Sequence, residues 1–159
     1  MIRSIVGFRT DEKGDWVAEL ACHHGIHVRH RPPLEVRPWV LDKEGRSRHL
    51  GVEVDCARCD RAELPDGLAV VGRAGPWDRG SLPAALLGTH RLPEGRWGLL
   101  HVASGTVGFR MNRGQGILAV DLRAGSEQPI PPGAAHHLVP RGPVSLTLAF
   151  LARPAPRSR

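Results

Sequence analysis

Cys22-His23-His24-Gly25-Ile26-His27, with Cys56-Ala57-Arg58-Cys59 following 34 positions after Cys22, decides how the first part of this 159-residue chain folds. The chain has three cysteines, and this pattern uses all of them. Two form a C-x-x-C pair, and the third stands beside a histidine cluster. A tetrahedral zinc ion needs four thiolate or imidazole ligands, and C-x-x-C supplies two sulfurs from one tight turn. The second pair must come from Cys22 and a neighbouring histidine. The favoured set is Cys22, His24, Cys56 and Cys59, with His27 as the main substitute. All four positions would be filled by protein, so the expected site is structural rather than catalytic. Binding energy on the order of 10 kcal/mol would then count as folding energy. The plain alternative, a buried Cys22 with exposed histidines, leaves the spacing unexplained. A redox role for Cys56 and Cys59 would need a thioredoxin-like βαβ pattern, which does not surround them.

Outward from this cluster the sequence reads as strands and turns. Ile2 to Arg9 is β-prone, Asp11-Glu12-Lys13-Gly14 is a turn, and Trp16, Ala18, Leu20 and Cys22 alternate onto one face. His27 to His30 reads as a third strand stopped by Pro32-Pro33. Pro38 starts a helix that Gly51 stops. Asp60 to Gly67 is a polar linker. Beyond it, Ser81 to Leu87 is one short helical candidate. Trp97 to Ala103 and Thr106 to Met111 read as a hairpin turned at Ser104-Gly105. Ile117 to Leu122 is a strand, and Val144 to Leu151 alternates cleanly. The expected fold is mainly β (α+β): a small zinc-stapled β-hairpin module over residues 1–62, then a cupin-like β-barrel over 63–153. Residues 154–159, rich in Pro and Arg, form a flexible tail.

Composition bounds the function. Hydrophobic residues make up 41% of the chain, while Gly and Pro supply 19 and 14 residues, which favours strands and turns over long helices. The formal charge of +6 suits an anionic partner, but the arginines are scattered and form no run. Met1 to Gly14 holds no apolar core of signal-peptide length, and the longest apolar run, Leu148 to Ala152, is too short to span a bilayer. The expectation is a cytoplasmic protein with no membrane partner.

The first segment resembles a small family of uncharacterised bacterial proteins, some labelled pressure-tolerance protein. The resemblance rests on Gly7-Phe8, Asp15 to Leu20, Cys22-x-His24, His27 to His30 with Pro32-Pro33, Arg37 to Val40, and Cys56-x-x-Cys59. It implies a domain more than an activity. His23 stands where glycine is expected.

Pro131-Pro132-Gly133-Ala134-Ala135-His136 fits P-x-G-x-x-H, the second motif of cupin barrels, in which the turn leads into a strand whose first histidine faces the barrel mouth. The first motif survives only as His90, because Leu92 replaces its second histidine and its glutamate is missing. The segment from Leu64 to Phe150 also resembles a cupin-like domain of bacterial proteins associated with tellurite resistance. The matching residues are Leu82-Pro83-x-x-Leu86-Leu87-x-x-His90, Gly95-x-Trp97-Gly98-x-Leu100, Gly105, Pro132, His136-x-Leu138-x-Pro140 and Val144 to Phe150. This resemblance implies a β-barrel that binds a metal or small anion through His90 and His136, with His101 as a third candidate. Arg91, Arg96 and Arg110 are candidates to draw an oxyanion to the mouth.

Three functions compete. The first is a metal-binding stress protein, a structural zinc module joined to a barrel that binds a small molecule or oxyanion, linked to tellurite or metal resistance. The second is a cupin-type metalloenzyme with a second divalent metal at His90 and His136; the incomplete ligand set counts against it. The third is a nucleic-acid-binding regulator, against which stands the absence of a recognition helix or stacking aromatic set. Enzymatic activity is not indicated. Cupin-like barrels often pair, which allows a homodimer.

Overall fold

The computed structural model describes residues 1–154. Of the tail expected over 154–159, only Pro154 falls among them. Two compact units form, one from Ile2 to Cys56 and one from Ala57 onward together with Met1. The protein is mainly β, with two antiparallel sheets.

The first unit is built on β1 (Ile2–Thr10), β2 (Trp16–Leu20), β3 (Gly25–His27) and β4 (Glu53–Asp55), in the sheet order β3-β2-β1-β4. The β1–β2 hairpin is the one expected from sequence. Asp11 closes its turn by accepting the Lys13 and Asp15 amides, both at 2.9 Å. Val17, Ala18 and Leu20 are buried. The third strand is shifted from its expected position: β3 covers 25–27, not 27–30, because the turn carrying the cysteine and histidine closes early, with the Leu20 amide bonding the His24 carbonyl at 2.9 Å.

The single helix expected from Pro38 is also corrected. Pro38–Val40 forms one 3-10 turn, and a separate helix α1 (Lys43–Arg48) starts behind Asp42, whose carboxylate accepts the Gly45 amide. Asp42 was the signal for the true start, since an N-cap carboxylate satisfies an otherwise orphaned amide. Gly45 is required there because a Cβ would collide with the Trp39 carbonyl. Around α1, Trp39 stacks on His49 with ring centroids 3.6 Å apart. The Arg46 guanidinium lies 3.6 Å over the Trp16 ring. Few aliphatic side chains are buried here: Ile5, Val17, Leu20 and Val40 carry most of the apolar packing.

The second unit begins with α2 (Ala57–Asp60) and continues through β5 (Ala69–Asp78), α3 (Ala84–Leu87), β6 (Trp97–Asn112), β7 (Ile117–Arg123), β8 (Glu127–Ile130) and β9 (His136–Ala152). The sheet runs β5-β9-β6-β7, and β8 also pairs with β6. The stretch read as a linker carries Asp60, which accepts from both the Met1 ammonium and the Gly114 amide at 2.6 Å.

The expected hairpin across Ser104-Gly105 is instead one strand of 16 residues. Register shifts lie between Val102 and Ser104 and between Gly105 and Val107. Leu100 and Val102 face the core on even positions, whereas Val107, Phe109 and Met111 face it on odd ones. A β-bulge adds a residue and flips the facing parity, which in sequence imitates a turn. Gly105 sits at the bend with φ +76°, pressed against the Pro143 carbonyl, where no side chain fits. Beyond the bend β6 exchanges neighbours, from β8 to β7, while β9 follows it along both halves. Trp97, Val102, Val107, Phe109 and Leu146 are fully buried between them.

Candidate metal centre and a histidine pocket

The β2–β3 turn places Cys22 and His24 on one short loop. This loop is tied to β1 by the Ala21 amide, which donates to the Ser4 carbonyl at 3.0 Å. Strand β4 pairs with the start of β1, Ile2 opposite Asp55, and delivers Cys56 immediately after. One helical turn later α2 presents Cys59. Cys22, His24, Cys56 and Cys59 are all buried, and their ligand atoms lie within 4.8 Å of one another.

The spacing fits a tetrahedral ion. Metal–sulfur and metal–nitrogen bonds of about 2.3 and 2.1 Å give tetrahedron edges of about 3.8 Å between sulfurs and about 3.6 Å from sulfur to nitrogen. The Cys22 and Cys56 sulfurs are 3.9 Å apart. His24 Nδ1 lies 3.5 Å from Cys22 Sγ and 3.4 Å from Cys56 Sγ. Burial works against a charged His24, yet the sulfurs of Cys22 and Cys56 outweigh it and raise its pKa to about 9. A metal taking that nitrogen's lone pair therefore displaces a proton, and its affinity falls as the solution becomes acid.

The structure brings together the four favoured residues and leaves the substitute aside. His27 is 46% exposed, and its Nε2 meets Asp11 Oδ2 at 2.9 Å. His23 adopts φ +70°, the left-handed region, which explains why glycine suits that position.

In the second unit the Pro131-to-His136 turn leads into β9 with His136 as its first residue. His90 and His136 form a backbone bridge, bonding in both directions at 3.0 Å, and their rings are 4.1 Å apart. His136 is 3% exposed. Burial holds its pKa down to about 4; the Ala134 carbonyl opposes this, and His90 and His137 add to it. The two rings border a pocket walled by Leu86, Leu100, Ile130, Leu138 and Leu148.

His101 is not part of this pair. It is 42% exposed, with Nδ1 3.8 Å from Glu127. Among the described residues, the cysteine–histidine cluster is the one group of three or more metal-ligating side chains. The arginines expected at the mouth do not line the pocket: Arg91 donates to the Gly133 carbonyl, and Arg110 to the Phe109 and Val120 carbonyls. The aliphatic lining went unread in the sequence. Its only trace is the inward alternation of β6 and β9, which does not reveal a gap between side chains.

Two family models match the chain in turn. Residues 6–63 match the family described as protein of unknown function (DUF3565), and residues 73–148 match the TehB-like domain. No curated protein matches in sequence. TehB from Haemophilus influenzae is similar in structure, with TM-score 0.51 and 23% identity over 55% of this chain. The match spans 32% of TehB, about a third of that protein's length. An E. coli K12 protein gives TM-score 0.52 and 18% identity, covering 58% of this chain and 98% of its own. At these identities the likeness speaks for the fold alone. Among the described residues no helix is long and apolar enough to cross a membrane. The chain thus matches the DUF3565 family model over its first part and the TehB-like domain model over its second.

Proposed function

We propose that this is a metal-binding, stress-related cytoplasmic protein. In this reading a structural zinc ion holds the first segment, and the TehB-like domain binds a small ligand at the His90–His136 pocket, in a role linked to tellurite or metal resistance. The observation that carries it is the buried cluster of three sulfurs and one imidazole whose ligand atoms lie within 4.8 Å of one another. Such a donor set suits zinc and leaves no open coordination position, so the ion stabilises rather than catalyses. The cupin-type metalloenzyme reading loses support because His101, its third ligand, meets Glu127 instead. A role in nucleic-acid binding gains nothing from the sites described.

Elemental analysis of purified protein tests the proposal. It should find about one zinc per chain, as the single four-ligand cluster requires. Cys56→Ser should abolish the zinc, while His27→Ala and His136→Ala should keep it. Protein without metal, whose melting temperature ignores a chelator, contradicts the reading.

A further inference from the structure

The His90–His136 pocket has a polarity that its lining fixes. His136 Nδ1 meets the Ala134 carbonyl at 2.7 Å, and His90 Nδ1 meets the Gly88 carbonyl at 3.0 Å. A carbonyl oxygen can only accept, so each Nδ1 must carry the hydrogen. In a neutral imidazole that leaves Nε2 as a bare lone pair. Neither Nε2 takes a hydrogen bond from another described residue. Every other side chain around the pocket is aliphatic. The burial that depresses the pKa of His136 keeps its ring neutral at ordinary pH. With both rings neutral, the histidines offer two acceptor nitrogens and no donor at Nε2.

An oxyanion is itself an acceptor. Here it would meet lone pairs and hydrocarbon, with none of the compensation a buried charge requires. The ligand that fits brings the hydrogen. The partly open cavity is about 10 Å³, room for the centre of one water-sized group at its inner end. A hydroxyl is such a group.

We propose that the pocket binds the O–H group of a small uncharged molecule with a compact apolar body, and that it rejects oxyanions. The hydroxyl hydrogen bonds an imidazole Nε2, and the body packs among Leu86, Leu100 and Leu148 at the pocket wall. This rests on the reading that the pocket is a ligand site, and it reverses the anionic preference that the charge of the chain alone suggests.

Nitrogen-15 NMR of the histidine rings in the full, metal-loaded chain tests it, with phenol, anisole and inorganic phosphate as probes. Phenol should shift the Nε2 resonances of His90 and His136 and leave His101 still. Anisole, of similar shape but without the donor, should bind at least about tenfold more weakly, the order of one lost hydrogen bond. Phosphate should shift neither ring. His90→Phe should lose the preference for phenol over anisole. Leu148→Phe, which fills the cavity and keeps both imidazoles, should bind neither. Equal binding of phenol and anisole overturns the hydroxyl proposal. Phosphate binding at the two rings overturns it while leaving the pocket as a ligand site. No response to phenol or to phosphate removes the ligand site as well.

Discussion

The two units solve the same problem by different means. The second buries Trp97, Phe109, Met111 and Leu146 between two long strands. The first buries a handful of aliphatic groups and supplies Cys22, His24 and Cys56 to the cysteine–histidine cluster. A short polar segment does not remove enough apolar surface from water to offset its conformational entropy, and in the proposed reading a metal cross-link supplies what is missing. On the proposed reading, the contrast is between a unit whose stability depends on metal availability and one whose stability depends on packing.

The sharpest way to break the contrast is to remove the ion. Chelation, or Cys56→Ser, should unfold the first unit by an amount on the order of 10 kcal/mol of lost binding energy. Hydrogen exchange should then show the amides of β1 and β2 exchanging freely while those of β6 and β9 stay protected. Equal loss of protection in both units would erase the distinction.

The reciprocal change is in packing. Phe109→Ala leaves a cavity in a fully buried site and should cost the second unit about 3–5 kcal/mol, read by urea denaturation. Zinc content should not change. Loss of the metal on this substitution would mean the first unit leans on the second.

Acid sharpens the comparison further. His136 has its pKa depressed from 6.5 to about 4, so in the window between these values the unfolded chain binds a proton that the folded one refuses. Stability is therefore complete above 6.5 and declines as pH falls toward 4, by up to about 3 kcal/mol. His136→Phe should flatten this slope in denaturant titrations of the second unit. An unchanged slope would show that another group sets it.

The hairpin β1–β2, the clustering of the cysteines with His24 and the strand that starts at His136 were legible because each carries a short-range mark. Alternation, turn residues, C-x-x-C and C-x-H each lie within a few residues. What was not legible depends on distant partners. Trp97 to Asn112 looked like two strands because the flip of facing parity at a bulge and the reversal at a turn leave the same mark. Only pairing with β9 tells them apart. His24 was the favoured candidate and His27 its substitute, and the early closure of the β2–β3 turn places His24, not His27, beside the sulfurs. His101 seemed able to join the barrel histidines until Glu127 on β8 was placed opposite it.

The smallest expected effect lies in the metal loop. His23 holds a left-handed backbone at φ +70°, which costs a side-chain-bearing residue about 1 kcal/mol or more. Glycine removes that strain but adds unfolded-state entropy, so His23→Gly should stabilise the metal-loaded first unit by about 0.5 kcal/mol, visible as a small rise in melting temperature. Destabilisation would indicate that the imidazole itself supports the loop.

X-ray absorption at the metal edge of the purified protein tests the central claim most directly. The account requires a four-coordinate ion with three sulfur neighbours near 2.3 Å and one nitrogen near 2.1 Å. A shell of oxygen and nitrogen alone, or a bound ion untouched by cysteine, would contradict it.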